Sequence, residues 1–185
     1  MKFIKTNFFL KKGINDVYKK NNRPHSFKSF DAVRDVVLFF DYQDYPLAEK
    51  IILDLKGCGK QVSAWTVDNK EKTDATGPQF KFLPEVRVIE QEKDLSWKQM
   101  LQPPIEAEFD NLRYDTLFDF TVSGKENCLT YLLMKNKSSF CIGIKESEKN
   151  VYDCIILKDE DKDILYVYEQ IKFYLNYMFG SSNNL

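Results

Sequence analysis

The sequence is short of the residues that usually build a reactive centre. It has one histidine, seven glycines, and four cysteines with no Cys-x-x-Cys pair among them. With His25 alone, neither a zinc site nor a Ser-His-Asp triad has enough material. No apolar run approaches the ~20 residues needed to cross a bilayer. Lysines at 5, 11 and 12 interrupt the N-terminal apolar segment that a signal peptide would keep unbroken. A cytoplasmic location is therefore expected, where the cysteines stay as thiols. What is abundant is aromatic and charged: 15 Phe, 10 Tyr and 2 Trp in 185 residues, with 43% of the chain hydrophobic and 30% charged. One domain of this size buries roughly two-thirds of its unfolded surface and needs neither disulfide nor metal to fold.

The net charge of −1 conceals a division. Residues 1–35 carry nine bases against three acids, a local charge of +6, and the remaining 150 carry 18 bases against 25 acids, or −7. Residues 2–21 read as an amphipathic helix, with Phe3, Leu10, Ile14 and Val17 on one stripe and Lys5, Lys12 and Lys19 on another. Gly13 predicts a kink there, and Asn21-Asn22-Arg23-Pro24 a stop. Residues 24–35 form a connector anchored by Phe27 and Phe30.

From residue 36 the pattern alternates between strand and helix. Val36–Phe40 is a continuous apolar run, as in a parallel strand buried on both faces. Asp44 and Pro46 open a helix with Leu47, Ile51 and Leu55 inward, closed at Gly57. Gln61–Val67 completes a βαβ unit. A polar loop spans 68–84, Val86–Glu90 is a third strand, and Asp94–Leu101 a short helix ended by Pro103-Pro104. Thr116–Val122 is a fourth strand. Ser123-Gly124-Lys125-Glu126 matches a capping box opening a helix to about Asn136. Phe140–Ile144 and Tyr152–Leu157 are the last strands, and their short separation predicts an antiparallel pair. Asp161–Phe179 is a long helix on a three-four repeat, followed by a frayed tail at 181–185. The expected fold is a three-layer, Rossmann-like α/β domain over 36–180, with a mainly parallel sheet of about six strands. A basic helix and connector at 1–35 are appended to it.

Gly57-Cys58-Gly59-Lys60 suggests a phosphate loop but has the elements in reverse order, helix before and strand after, so it reads as a helix cap. Asp41-Tyr42-Gln43-Asp44 stands where a dinucleotide binder needs glycines. No cofactor is expected. Cys128, Cys141 and Cys154 lie 13 apart but on apolar elements, and read as core. Ligands of open parallel sheets bind beyond the carboxyl ends of the strands, where strand order reverses. Asp41, Asp44 and Asp119 are the carboxylates that such a crevice would gather, with ordinary caps and strand ends as the alternative. The basic segment has three readings: a solvated face packed on the domain, a membrane-surface helix, and a contact with nucleic-acid phosphate. Asp16 and the lack of Trp on that face weigh against the membrane.

Tyr114-Asp115-Thr116-Leu117-Phe118-Asp119-Phe120, a helix, and then Ser138-Ser139-Phe140-Cys141-Ile142-Gly143 resemble the N-terminal Rossmann-like half of heptosyltransferases. The whole order, from basic helix through the Val-Leu-Phe-Phe-Asp strand to Tyr152-Asp153 and the long final helix, is similar to a family of short bacterial proteins without an assigned activity. Gln43 stands where the heptosyltransferase pattern has glycine before its basic Asp. The nucleotide-sugar site of those enzymes also lies largely in a second Rossmann half. The resemblance therefore implies the fold more than the activity.

These observations lead to three expectations. The first is a non-catalytic binding protein whose basic arm docks on structured RNA, most concretely ribosomal RNA or ribosomal proteins, through Lys5, Lys12, Lys19, Lys20, Arg23 and Lys28. The second is a sugar-nucleotide binder or enzyme with Asp44 as general base, assisted by Asp41 and Asp119. The third is a protein–protein adaptor.

Overall fold

The computed structural model describes residues 2–68, 80–122 and 127–179, with side chains from Phe8 to Met178. Six strands form one sheet in the order β3-β2-β1-β4-β5-β6, every neighbouring pair parallel. They are β1 (Asp35–Phe40), β2 (Gln61–Asp68), β3 (Val86–Glu90), β4 (Thr116–Phe120), β5 (Phe140–Gly143) and β6 (Cys154–Ile155). The helices are α1 (Lys2–Lys20), α2 (Tyr45–Gly57), α3 (Gln91–Asp94), α4 (Pro103–Asp110), α5 (Cys128–Lys135) and α6 (Ile164–Phe179). The strand order reverses between β1 and β4, the arrangement of a Rossmann-like sheet.

The apolar run of the first strand is explained by its two neighbours. Val36, Leu38 and Phe40 join the core beneath α2 and α6, while Val37 and Phe39 join the opposite core beneath α1 and α5. A strand alternates its side chains between faces, so only one covered on both sides can be apolar throughout. Each large apolar side chain sealed in this way contributes ~1.5–3 kcal/mol over an exposed one.

The basic N-terminal helix is part of the fold rather than a projecting arm. Leu10 and Ile14 are buried in the same core as Leu129, Leu132 and Leu133 of α5. Asn21 ties its end down by donating to the carbonyls of Met134 at 2.8 Å and Asn136 at 2.9 Å. The helix runs unbroken through Gly13, against the expected kink. The methyl end of Met100 lies so close that a Cβ at Gly13 would meet it at 2.8 Å.

Three other local readings are corrected. β5 and β6 pair in parallel, Ile142 with Cys154 and Gly143 with Ile155, not antiparallel. The chain returns without a helix because Val151 and Tyr152 are buried across the sheet face, and Asp153 holds the Cys141 amide at 2.7 Å. Pro103 and Pro104 start α4 instead of ending a helix, since a first turn needs no proline N–H. Residues 95–101 form a tight hairpin with an antiparallel Leu95–Leu101 bridge.

The capping box expected at 123–126 lies outside the described residues. Asn127 caps α5 instead: its Oδ1 accepts from Leu129 N at 2.8 Å, and Thr130 Oγ1 accepts from Asn127 N. Residues 57–60 are a helix cap, with Gly59 at φ +76°. Lys60 turns inward, donating to the carbonyls of Phe30 and Val33 at 2.7 and 2.9 Å. Burial lowers its pKa.

Candidate functional site

The crevice beyond β1 and β4 is where an open parallel sheet binds ligands. Asp41 follows β1 and is 8% exposed, and its Oδ2 accepts the Val122 amide at 2.7 Å. That bond joins the ends of the two strands flanking the switch point. A short 3₁₀ turn, Tyr42–Asp44, then leads into α2. Phe80 and Phe82 lie against the Tyr42 ring at 5.6 and 5.5 Å, so aromatic rings stand where a dinucleotide site needs open backbone. Asp44 occupies the N-cap position but makes no side-chain capping bond. Its carboxyl is held above the usual range, chiefly by burial and then by the charge of Asp41. Lys158 opposes that shift, and Asp163 at the start of α6 adds to it.

Asp119 belongs to a different set. It points to the α1/α5 side of β4, away from Phe118 and Phe120. Its Oδ1 accepts the amide and hydroxyl of Thr121 at 3.0 and 2.6 Å, and its Oδ2 accepts the Tyr152 hydroxyl at 2.6 Å. Lys145 donates to Thr121 Oγ1 and stands 3.8 Å from Asp119 Oδ2. Burial, then the Asp119 charge, pushes the Tyr152 hydroxyl far above the usual phenol range, so it remains a donor. Gly143 makes this possible: a Cβ there would lie 2.6 Å from the Tyr152 ring. The expected trio therefore splits. Asp41 and Asp44 are neighbours, while Asp119 is locked into a network that sequence reasoning missed, built with Thr121, Tyr152 and Lys145. In the sequence, Asp119 itself and the Tyr152-Asp153 pair are its visible signals.

The basic residues are also divided. Lys12, Lys19 and Lys20 are exposed, and they pair with no carboxylate among the described residues. Lys5 lies on the same helix, its side chain outside the described residues. Lys28 is half-buried, 3.4 Å from Asp115. Arg23 departs from the expected surface role, because its side chain is 5% exposed. It pairs with Asp153 at 2.8 Å and donates to the carbonyls of Val151 at 2.7 Å and Ser138 at 3.3 Å. His25 is exposed, with Nδ1 2.6 Å from the other oxygen of Asp153. Arg23 thus clamps the start of the connector onto the β5–β6 return. Cys128 and Cys141 are buried, with burial pushing the Cys128 thiol up to about 12 and Cys141 well above the ordinary range. Neither thiol supplies a nucleophile at neutral pH.

No helix in the described residues is long and apolar enough to cross a membrane. The chain belongs to a family of unknown function, DUF6913, whose pattern covers residues 6–178. No curated protein and no solved structure matches it.

Proposed function

We propose that this protein is a non-catalytic binding protein of the cytoplasm that docks on structured RNA, most concretely the ribosome, through the lysine face of α1. One observation carries the reading. Lys12, Lys19 and Lys20 are turned to solvent on a helix whose apolar side is fixed to α5, while the strand-end carboxylates Asp41 and Asp119 are bonded to their own chain. Lysines held on a rigid surface neutralise backbone phosphates without reading sequence. Lys5 extends the row, Lys28 is a secondary contact beside Asp115, and Arg23 is withdrawn from it. The test is sedimentation of the native protein from gently lysed cells through sucrose gradients at low and high salt. Co-migration with a ribosomal subunit at low salt, lost at high salt and lost in the Lys12→Glu/Lys19→Glu/Lys20→Glu variant, is expected. Co-migration that survives either change overturns it.

A second reading has its own observation. Asp44 is a half-buried carboxylate with a raised pKa beside the switch point, the environment in which a carboxylate becomes a base near neutral pH. That environment, at the strand ends where open parallel sheets bind ligands, supports a sugar-nucleotide ligand as the second reading. A thermal shift with nucleotide sugars that is absent in Asp44→Ala is the expected result, and no shift for the wild type rejects this reading.

A further inference from the structure

The hairpin at 95–101 presents two side chains at its tip in an unusual way. Trp97 is 69% exposed, one of the largest apolar side chains the protein leaves in water. The tip is closed by bonds from Gln99 N to Ser96 O and from Ser96 N to Met100 O. Gln99 is the only non-glycine residue at positive φ among the described residues, at 60°. Such a turn more often uses glycine or asparagine at that position, so the tip carries a local backbone cost.

Three rings run together from this tip onto α1. Trp97 meets Phe9 edge-on at 5.7 Å, and Phe9 meets Phe8 at 5.9 Å. Phe8 is 64% exposed. The Lys98 ammonium lies over both the Phe9 and Trp97 rings, at 4.8 and 5.2 Å. One turn further along the same side of α1 is Lys12. Of the three acids just before the hairpin, Glu90 pairs with Lys93 at 2.7 Å, Asp94 with Arg87 at 3.2 Å, and Glu92 is exposed. Lys98 makes no ion pair among the described residues.

We propose that Trp97 and Phe8, flanked by Lys98 and Lys12, form a stacking platform for unpaired RNA bases. Exposed aromatic faces bordered by cations are what single-stranded nucleic acid requires: each base has a π-face, and each phosphate between bases needs a positive charge. The inference rests on the RNA-docking reading and narrows it to a segment with unpaired nucleotides. A lipid surface fits less well. Interfacial helices insert their apolar stripe, but that of α1, Leu10 and Ile14, is buried against α5.

The test is a titration of the full-length protein with a short oligouridine and with duplex RNA of equal length, at one salt concentration. Trp97→Ala is expected to weaken oligouridine binding about tenfold or more and leave duplex binding unchanged. Trp97→Phe restores part of the loss, and Lys12→Glu/Lys19→Glu/Lys20→Glu weakens both ligands. Trp65 is buried, so the tryptophan quenching on oligouridine should vanish in Trp97→Phe. Unchanged oligouridine affinity in Trp97→Ala, or equal loss on both ligands, overturns the platform alone. A wild type that binds neither RNA overturns the docking reading with it. Binding to phosphatidylcholine–phosphatidylglycerol vesicles in place of oligouridine, with a blue-shifted Trp97, assigns the surface to lipid and overturns the proposal.

Discussion

At the carboxyl end of the sheet, Asp41 and Asp119 are bonded to their own chain, whereas on the outer face of α1 Lys12, Lys19 and Lys20 stand in water. At the strand ends that Rossmann-like folds use for ligands, Asp41 and Asp119 are committed to bonds within the chain, and Asp44 makes no capping bond. On the helix added before the first strand, Lys12, Lys19 and Lys20 are free of that duty. Fold alone would direct attention to the crevice, but the disposition of the hydrogen bonds directs it to the helix. The same contrast exists inside the basic segment itself: Arg23 behaves like the strand-end acids, and the three lysines do not.

Breaking that contrast at Arg23 should have the largest effect. Arg23→Met removes the buried cation paired with Asp153 and leaves that buried carboxylate only the Cys141 amide and the exposed His25 ring, which destabilises by ~3–5 kcal/mol. For a domain of this size that lowers Tm by roughly 10 °C. A Tm within a degree or two of wild type would place Arg23 with the surface bases after all. Asp119 comes next. Asp119→Ala leaves the Tyr152 hydroxyl and the Thr121 amide without their acceptor, at a cost of about 3 kcal/mol. Asp119→Asn retains an acceptor oxygen and should lose less. Equal losses in the two variants would show that Asp119 acts there by its charge rather than as an acceptor.

The lysine face supplies the other side of the comparison. Lys12→Glu/Lys19→Glu/Lys20→Glu should cost less than ~2 kcal/mol in thermal denaturation, because exposed charges contribute little to folding. Part of that cost comes from Lys19 and Lys20, which stand in the last turn of α1, where the helix dipole favours cations. A large loss of stability would mean that these lysines are structural, and would undermine the RNA-docking assignment.

The sequence made the interior of the sheet legible and its margins much less so. Val36–Phe40 could be read because a strand covered on both faces has no polar positions, and α6 because its apolar residues keep a helical period. The β5–β6 return could not, because it replaces a crossover helix with a loop held by Tyr152 and Asp153, and nothing local marks that exchange. The carboxylates were found as residue types at strand ends. That Asp41 and Asp119 bond to different partners does not follow from the strand period, which puts both on the same side of the sheet, and the capture of Asp119 by Tyr152 depends on the close approach at Gly143. Arg23 looked like one more surface base, since a contact with Asp153 across 130 residues of sequence leaves no periodicity. Trp97 was invisible for the same reason: only the fold brings the 95–101 hairpin to α1.

The smallest expected effect concerns Asp44, which makes no side-chain capping bond and has Asp41 as a close acidic neighbour. Its pKa is raised in the folded protein, mainly by burial and then by Asp41. The folded state therefore holds the proton more tightly than the unfolded state, where a carboxylate titrates near ~3.9. Folding stability falls as pH rises from that value through the folded pKa, and the deficit persists above both. Asp44→Asn removes the penalty and should make the protein slightly more stable at neutral pH, with the gain shrinking to nothing in acid below about pH 4. Paired denaturation curves at several pH values measure this directly. A variant that is less stable at neutral pH would mean that the Asp44 charge is useful to the fold. The crevice would then resemble the rest of the strand ends, with no carboxylate left over for a ligand.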